Sequence, residues 1–254
     1  MTMPGLRVTT SWDDGHALDQ RLADLLGRYG LTGTFYIARD YVNHRLSEAD
    51  IRRLAQTHEI GAHTMTHPLL TEVTPAQAQR EIVDSKHWLE DVIGQPIRAF
   101  CYPAGAQSAA LRQMVQQAGY KMARGTAQYA FAAGTARYDM STTLQIYPFP
   151  LRPLPEMAPY RGIRARLQPL RNIIAHRQTL GLRWRDLRNW PSIARSTLHT
   201  AQNNGGVWHL WGHSWEIEKY GQWSQLEQVF EHITTITNVQ VVNNSDLYKG
   251  STDD

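Results

Sequence analysis

Two short stretches of this chain carry residue types that could do chemistry together. His63-Thr64-Met65-Thr66-His67-Pro68 sets two imidazoles four residues apart, a spacing at which both reach one ion. One added carboxylate would give three protein ligands and leave a position open for water, which is the arrangement of a catalytic rather than a structural zinc. The pair alone is weak evidence, because with 11 His in 254 residues this spacing arises by chance in roughly one of two such chains. No Glu sits in the gap, so it is not the His-Glu-x-x-His protease motif. The alternative is a pair of unrelated surface or core histidines. Asp13-Asp14-Gly15 is the second stretch. Adjacent carboxylates after a buried strand are costly to hold together unless a cation divides their roles. Asp14 would then bind the ion while Asp13, ionised beside it, deprotonates the water. An Asx-turn, or an N-cap for the helix that follows, is the competing reading.

The elements that must position these residues alternate in type. Leu6 to Trp12 reads as a strand, and Ala17 to Tyr29 as a helix with Leu18, Leu22, Leu25 and Leu26 on one face, stopped by Gly30. Thr32 to Ile37 is β-branched and aromatic, hence a strand, and Ser47-Glu48-Ala49-Asp50 opens a helix running to about His58. Strands at 59–63, 98–102 and 120–124 alternate with helices at 76–93 and 107–118; Thr74-Pro75 starts the first of these helices and Gly94 ends it. Residues 126–160, punctuated by five prolines, read as loop-rich. Helical spacing returns at 161–180 and 184–202, followed by a strand at Val207 to Trp211, a helix from Ser224 to Thr237 and a last strand at Val239 to Asn243. Repeated β-α units predict a parallel sheet covered by helices. Ligands then collect at the carboxyl ends of the strands, where Asp13, Asp14, His63, His67, Tyr102, Arg124 and His213 all fall.

Composition bounds the rest. The chain is 42% hydrophobic and 19% charged, and its one cysteine, Cys101, excludes an intrachain disulfide. No apolar run approaches the roughly 18 residues of a membrane span, and the N-terminus lacks a signal-peptide pattern, so a cytoplasmic location is expected. Net charge is +3, yet Arg152 to Arg195 holds ten Arg, no Lys and two acids, a local +8 that leaves −5 for the remainder. That stretch is either a solvated helix face or a contact for phosphate and carboxylate. No nucleic-acid recognition motif accompanies it, and no nucleic-acid partner is expected.

These residues resemble the polysaccharide deacetylase family, the NodB-homology or carbohydrate esterase family 4 hydrolases. Thr10-Ser11-Trp12-Asp13-Asp14-Gly15 is similar to its first motif, Thr-Phe-Asp-Asp-Gly, with one extra residue and Trp for Phe. His63 to His67 matches the second, His-Ser/Thr-x-x-His, in full. Arg98-Ala99-Phe100-Cys101-Tyr102-Pro103-Ala104-Gly105 lines up with the third, Arg-x-Phe-Arg-x-Pro-Tyr-Gly. His213, in Trp211-Gly212-His213-Ser214-Trp215-Glu216, resembles the fifth motif's histidine in its His-Pro-Trp-Glu form. The resemblance covers about residues 6–125 and 205–245. It implies an α/β fold, a distorted (β/α)7-type barrel, forming a single domain over 1–254 with an Arg-rich, partly helical insertion at 126–200. It also implies metal-dependent removal of acetyl from an N-acetylated sugar. Asp14, His63 and His67 would hold Zn²⁺ or another divalent ion such as Co²⁺, Ni²⁺ or Mn²⁺, and Asp13 would be the general base. A backbone N–H, here that of Ala104 beside Tyr102 and Pro103, would stabilise the oxyanion, and protonated His213 would serve the leaving amine. Trp215 and its neighbours Trp12, Trp208 and Trp211 are candidates for a sugar platform, with core packing as the alternative.

Two departures matter. The family's second motif-three Arg, which pairs with the base, is Cys101 here, and Arg124 at the end of the next strand is the expected replacement. The fourth motif, Asp-x-x-Asp-Trp, which would orient the histidine, has only a degraded echo in Asp186 to Trp190. The expected substrate is a cytoplasmic glycan precursor or surface-polysaccharide intermediate. A phosphate-bearing or lipid-linked glycan and the inner membrane surface are the partners expected for Arg152 to Arg195. Hydrolysis of a formyl group or cyclic ureide, and a noncatalytic carbohydrate-binding relative, are the competing functions.

Overall fold

The computed structural model describes residues 5–132, 136–151 and 166–248. Strand β1 (Leu6–Asp14) alternates so that Leu6, Val8 and Trp12 join the outer core under the helices, whereas Thr9, Ser11 and Asp13 meet other polar groups inside the curled sheet. This period of two decides which residues line the site. Strands β2 (Thr34–Ile37), β3 (Glu59–Ala62), β4 (Ala99–Cys101) and β5 (Met122–Arg124) follow in order on one side of β1, and β7 (Gly206–Gly212) lies on the other. Every pairing is parallel, and β8 (Val239–Val241) pairs with the first half of β1, opposite β7 and below the start of β2. Seven strands thus form one curled path, the distorted (β/α)7-type architecture that the family resemblance implies.

Helices α1 (Asp19–Arg28), α2 (Glu48–Leu54), α3 (Pro75–Ile93) and α4 (Ala109–Gln117) cover its outer face. Their ends follow the signals in the sequence. Ser47 and Asp50 form a reciprocal capping box, Thr74 caps α3 ahead of Pro75, and Gly94 closes it at φ 70°. α5 (Gln168–Ala175), α6 (Trp190–Asn204), α7 (Ser214–Lys219) and α8 (Trp223–Thr234) are the other α-helices among the described residues. No helix of the described residues is long and apolar enough to cross a membrane.

The region read as loop-rich differs from expectation. Leu144–Gln145 is a strand, β6, paired with β7, and Met140 forms a parallel bridge to Arg124 of β5. The segment 140–145 therefore spans the gap between the two sheet edges. Only two residues pair regularly because Pro148 and Pro150 follow closely, which hides the strand from pattern reading. Helix α7 was likewise not expected. Of the helix expected at 161–180, the described residues carry Gln168–Ala175; residues 161–165, with Arg161 and Arg164, lie outside the described residues, as do Arg152 and Glu156.

Inside the sheet, Tyr36, Ala99, Cys101, Met122, Met140, Val207 and Leu247 form a second, smaller core. Gly61 of β3 leaves room for Tyr36: a Cβ there would lie 2.5 Å from the Tyr36 ring and 3.1 Å from the Ala99 carbonyl. Gly61→Ala should therefore cost about 1–3 kcal/mol through overpacking. Urea denaturation is expected to show a lower midpoint with an unchanged slope.

Candidate active site

The strand ends bring Asp13, Asp14, His63, His67, Arg124 and His213 together. Backbone at positive φ accompanies them: Asp14 (φ 87°) ends β1, and Thr64 (φ 68°), His67 (φ 58°) and Ala104 (φ 51°) follow the ends of β3 and β4. For residues other than glycine that conformation costs energy, and it persists where surrounding contacts over-determine it. Those contacts are present. Glu81, buried on α3, accepts from the N–H of Met65 (2.7 Å) and Thr66 (3.0 Å) and from Thr66 Oγ1 (2.7 Å), while His67 N–H donates to Thr64 Oγ1 at 3.0 Å. The turn between the two histidines is thereby fixed by a carboxylate from a different element.

The imidazoles converge. Nε2 of His63 and Nε2 of His67 are 3.1 Å apart, and each is 3.7 Å from Asp14 Oδ1. His63 Nδ1–H donates to the Cys101 carbonyl (2.8 Å), which leaves its Nε2 as a lone pair directed at the cluster. Burial, with Asp13 and Asp14 opposing, pushes His63 below its ordinary value; burial and the neighbouring His63 push His67 down to about 4. Both rings are therefore neutral near pH 7. Asp14 Oδ1 is buried without a hydrogen-bond partner among the described residues, while its Oδ2 accepts from Trp215 Nε1 at 2.8 Å. Two neutral imidazoles aimed at an orphaned carboxylate oxygen fit a divalent cation, with Asp14, His63 and His67 as its ligands. A second cluster, Asp13, His63 and Cys101, fits less well, since burial holds the Cys101 thiol protonated and Asp13 already has a cationic partner.

That partner is Arg124. Its Nη2 donates to both carboxylate oxygens of Asp13, Nη1 donates to the Gly125 carbonyl (3.0 Å), and the guanidinium lies 4.8 Å from the Trp211 ring and 5.2 Å from that of Tyr36. Cys101 and Arg124 are register partners on β4 and β5. The guanidinium missing at 101 is thus matched by one on the adjacent strand at the same level. Burial alone would raise the Asp13 carboxyl; Arg124, with His63 and His213, overrides it and holds the group below its ordinary value.

His213 follows β7 at the start of α7. Its Nδ1 donates to Glu216 Oε2 at 2.6 Å, and its Nε2 lies 3.9 Å from Asp14 Oδ2. Burial works against its charge, but the hydrogen bond to Glu216 and the carboxylates of Asp14 and Asp13 outweigh that and raise it to about 9. His209 behaves in the opposite way: it is buried within the sheet against Ser11 Oγ (2.8 Å), and burial with Arg124 pushes it to about 3.

Other candidate positions divide. The Ala104 N–H takes no part in its own turn, whose bonds run from Gly105 N–H to Tyr102 and from Ala106 N–H to Pro103. Tyr102 points away from the cluster, packing on Phe100 and donating its OH to the Tyr138 carbonyl (3.1 Å). Trp12 and Trp208 belong to the outer core, whereas Trp211 and Trp215 flank His213 with ring centroids at 5.7 and 5.4 Å. Asp186 caps its own turn by accepting from Arg183 N–H (2.8 Å). The sequence marks neither Glu81 nor Tyr41, which stacks on His67 with centroids 3.8 Å apart, and it shows Glu216 only as the last residue of the His-Pro-Trp-Glu-like stretch, without a role. The i,i+3 spacing of His213 and Glu216 on a short helix is the one local signal among these.

The polysaccharide deacetylase family profile matches residues 2–123. The chain is 29% identical over 119 residues to the putative polysaccharide deacetylase YxkH of Bacillus subtilis, covering 45% of this chain and 43% of that protein. It is 28% identical over 116 residues to a peptidoglycan-N-acetylglucosamine deacetylase of Bacillus cereus, covering 45% and 54%. The chain thus spans about half the length of these curated relatives. The fold is similar to that of a putative polysaccharide deacetylase from Mycobacterium smegmatis, with a TM-score of 0.68 at 16% identity over 96% of this chain and 89% of that one. Arg124, His213 and Glu216 lie beyond the matched profile.

Whatever reaction the site supports, the Asp13–Arg124 pair is a stability element. Arg124→Met should cost about 3–5 kcal/mol by leaving a buried carboxylate unpaired. Adding Asp13→Asn should recover much of that loss, and a double-mutant cycle by urea denaturation at neutral pH measures the coupling.

Proposed function

Because this chain belongs to the polysaccharide deacetylase family, we propose that it is a metal-dependent hydrolase that removes the N-acetyl group from a sugar. The observation carrying this reading is the convergence of Asp14, His63 and His67 on one point, with the ionised Asp13 beside it and His213 3.9 Å from Asp14. Zn²⁺, or Co²⁺, Ni²⁺ or Mn²⁺ in its place, would supply Lewis acidity to the acetamide carbonyl and to water. The chain's own groups divide the proton transfers. Asp13, held by Arg124 as a carboxylate, accepts a proton from the attacking water. The N–H of Ala104 donates to the carbonyl oxygen as it gains charge. The C–N bond then breaks, and His213, whose Nδ1 proton Glu216 holds, gives its Nε2 proton to the departing nitrogen, so that acetate and an amine leave. Retention of a paired base favours catalysis over mere carbohydrate binding. Acetate release from N-acetylated sugars should fall to background with chelator and return on adding Zn²⁺ or Co²⁺. Absence of both bound metal and release would refute the reading.

The pH profile carries a sign. A His213 that must be protonated keeps kcat/KM high up to its pKa, near 9, and loses it above. Glu216→Gln removes a group that raises this pKa, so its alkaline limb should move to lower pH, with a lower kcat from the freed ring.

The arginine-rich segment supports a phosphate-bearing partner for the same enzyme, such as a lipid-linked glycan at the inner membrane surface. Between residues 166 and 188 stand six Arg and one acid, and that acid, Asp186, is bonded to Arg183. Trp184 is 65% exposed, with Arg177 4.8 Å from its ring, a pairing suited to a headgroup interface. Binding to anionic vesicles is expected to weaken with salt and with Trp184→Ala; indifference to both would remove this partner.

A further inference from the structure

A cavity of about 180 Å³ lies between the loop after β5, strand β6 and helices α5 and α6. Its lining has a definite chemistry. Four aromatic rings, among them Tyr129, Tyr147 and Trp190, face four carboxamides, among them Gln145, Gln168 and Asn172, with aliphatic groups between. No carboxylate, guanidinium, ammonium or imidazole is among the described lining residues. Trp190 is buried, and its Nε1–H has no hydrogen-bond partner among the described residues.

The composition discriminates between ligand classes. An anion would find no cation in the wall. The carboxamides pair with one another, Gln128 Nε2 donating to Gln145 Oε1 (3.4 Å) and Gln168 Nε2 to Asn172 Oδ1 (2.6 Å), and an alkyl chain would bury their remaining donors and acceptors with nothing to bond them. A sugar ring offers C–H faces to aromatic rings and hydroxyls that both donate and accept, matching carboxamides, which do the same. The position is also informative. Gln145 is the register partner of Trp211, whose ring is 5.7 Å from that of His213, so the cavity begins one strand away from the candidate acid. Tyr147 in turn lies 5.7 Å from Tyr220, at the end of the helix that carries Glu216.

We propose that this cavity is a subsite for a neutral sugar ring of the substrate, adjoining the ring whose acetamide is hydrolysed. The inference rests on the sugar-deacetylase reading and extends it to a substrate of at least two rings. The described residues of 128–149 and 168–193 that line it would then supply substrate length specificity rather than chemistry.

Two measurements test this with the whole protein. In the first, trimers of N-acetylglucosamine, N-acetylgalactosamine and N-acetylmannosamine, together with uridine and decanoate, are titrated calorimetrically into wild type, Gln168→Ala, Asn172→Ala and Trp190→Phe. At least one trimer should bind, and each variant should weaken it by about three- to tenfold, Gln168→Ala and Asn172→Ala through the loss of one hydrogen bond and Trp190→Phe through the smaller ring face. In the second, acetate release is compared for the trimer that binds and its monosaccharide. The variants should raise KM for the trimer and leave monosaccharide kcat/KM unchanged. Absence of trimer binding, binding indifferent to all three variants, preference for uridine or decanoate, or equal loss on both substrates would overturn the subsite. Trimer binding that the variants weaken, without acetate release by wild type, would uphold the sugar site and overturn the hydrolase reading instead.

Discussion

An ionised carboxylate and a guanidinium are held together inside the curled sheet, and much of the surrounding structure follows from the cost of doing so. Removing Asp13 and Arg124 from water is unfavourable by several kcal/mol each unless the remaining valences are met. The Gly125 carbonyl takes one guanidinium proton, and the Trp211 and Tyr36 rings lie close to its charge. Such a pair would have little tolerance for a second buried cation. Cys101 faces Arg124 across β4 and β5, with its thiol 3.8 Å from Asp13. A guanidinium at both positions would leave one unpaired, so a small neutral residue at 101 is the physical counterpart of an arginine at 124. The two positions form a single unit.

The same polar lining continues toward the other end of the sheet in groups that do no chemistry. Ser11 bonds His209, Thr9 bonds Asn244 (2.8 Å), and Asn244 donates to the Tyr36 hydroxyl (2.9 Å). Through Asn244 these pairs hold Tyr36, whose ring contacts Arg124. His209 is neutral for the reason that His213 is charged. The first sees a guanidinium and buried surroundings, while the second sees three carboxylates.

Most of the fold was legible because its signals are local. The alternation of β1, the Ser47–Asp50 capping box, Thr74-Pro75 and Gly94 each act within a few residues, and each appears where the pattern places it. The triad Asp14, His63 and His67 could be grouped from spacing plus the rule that parallel strands end together. What stayed hidden is what depends on long-range geometry. Glu81 reaches the histidine turn from fifteen or sixteen residues away, and nothing in the composition of α3 marks it. Strand β6 has two regular pairs and no length to show a period. Tyr41 is distinguished only by stacking on His67. Tyr102, read as part of the cleft, obeys strand alternation instead and packs outward with Phe100.

Alternation and helix spacing together also explain how the site survives without a recognisable fourth motif. An orienting carboxylate for the histidine must accept from Nδ1 while leaving Nε2 toward the cluster. Delivering it from a distant segment requires that segment to be placed to within a fraction of an ångström. Glu216 stands three residues after His213 on α7, and Ser214 Oγ ties the start of that helix to Asp19 of α1 at 2.5 Å. Orientation is thereby built from one turn of helix anchored at its start, which needs no distant partner. Asp13 and His213 are then displaced in opposite directions, Asp13 below its ordinary value and His213 to about 9, by neighbours that differ in charge across a few ångströms. Near neutral pH Asp13 is then a carboxylate and His213 an imidazolium. That is the protonation pattern the proposed hydrolysis needs before substrate enters.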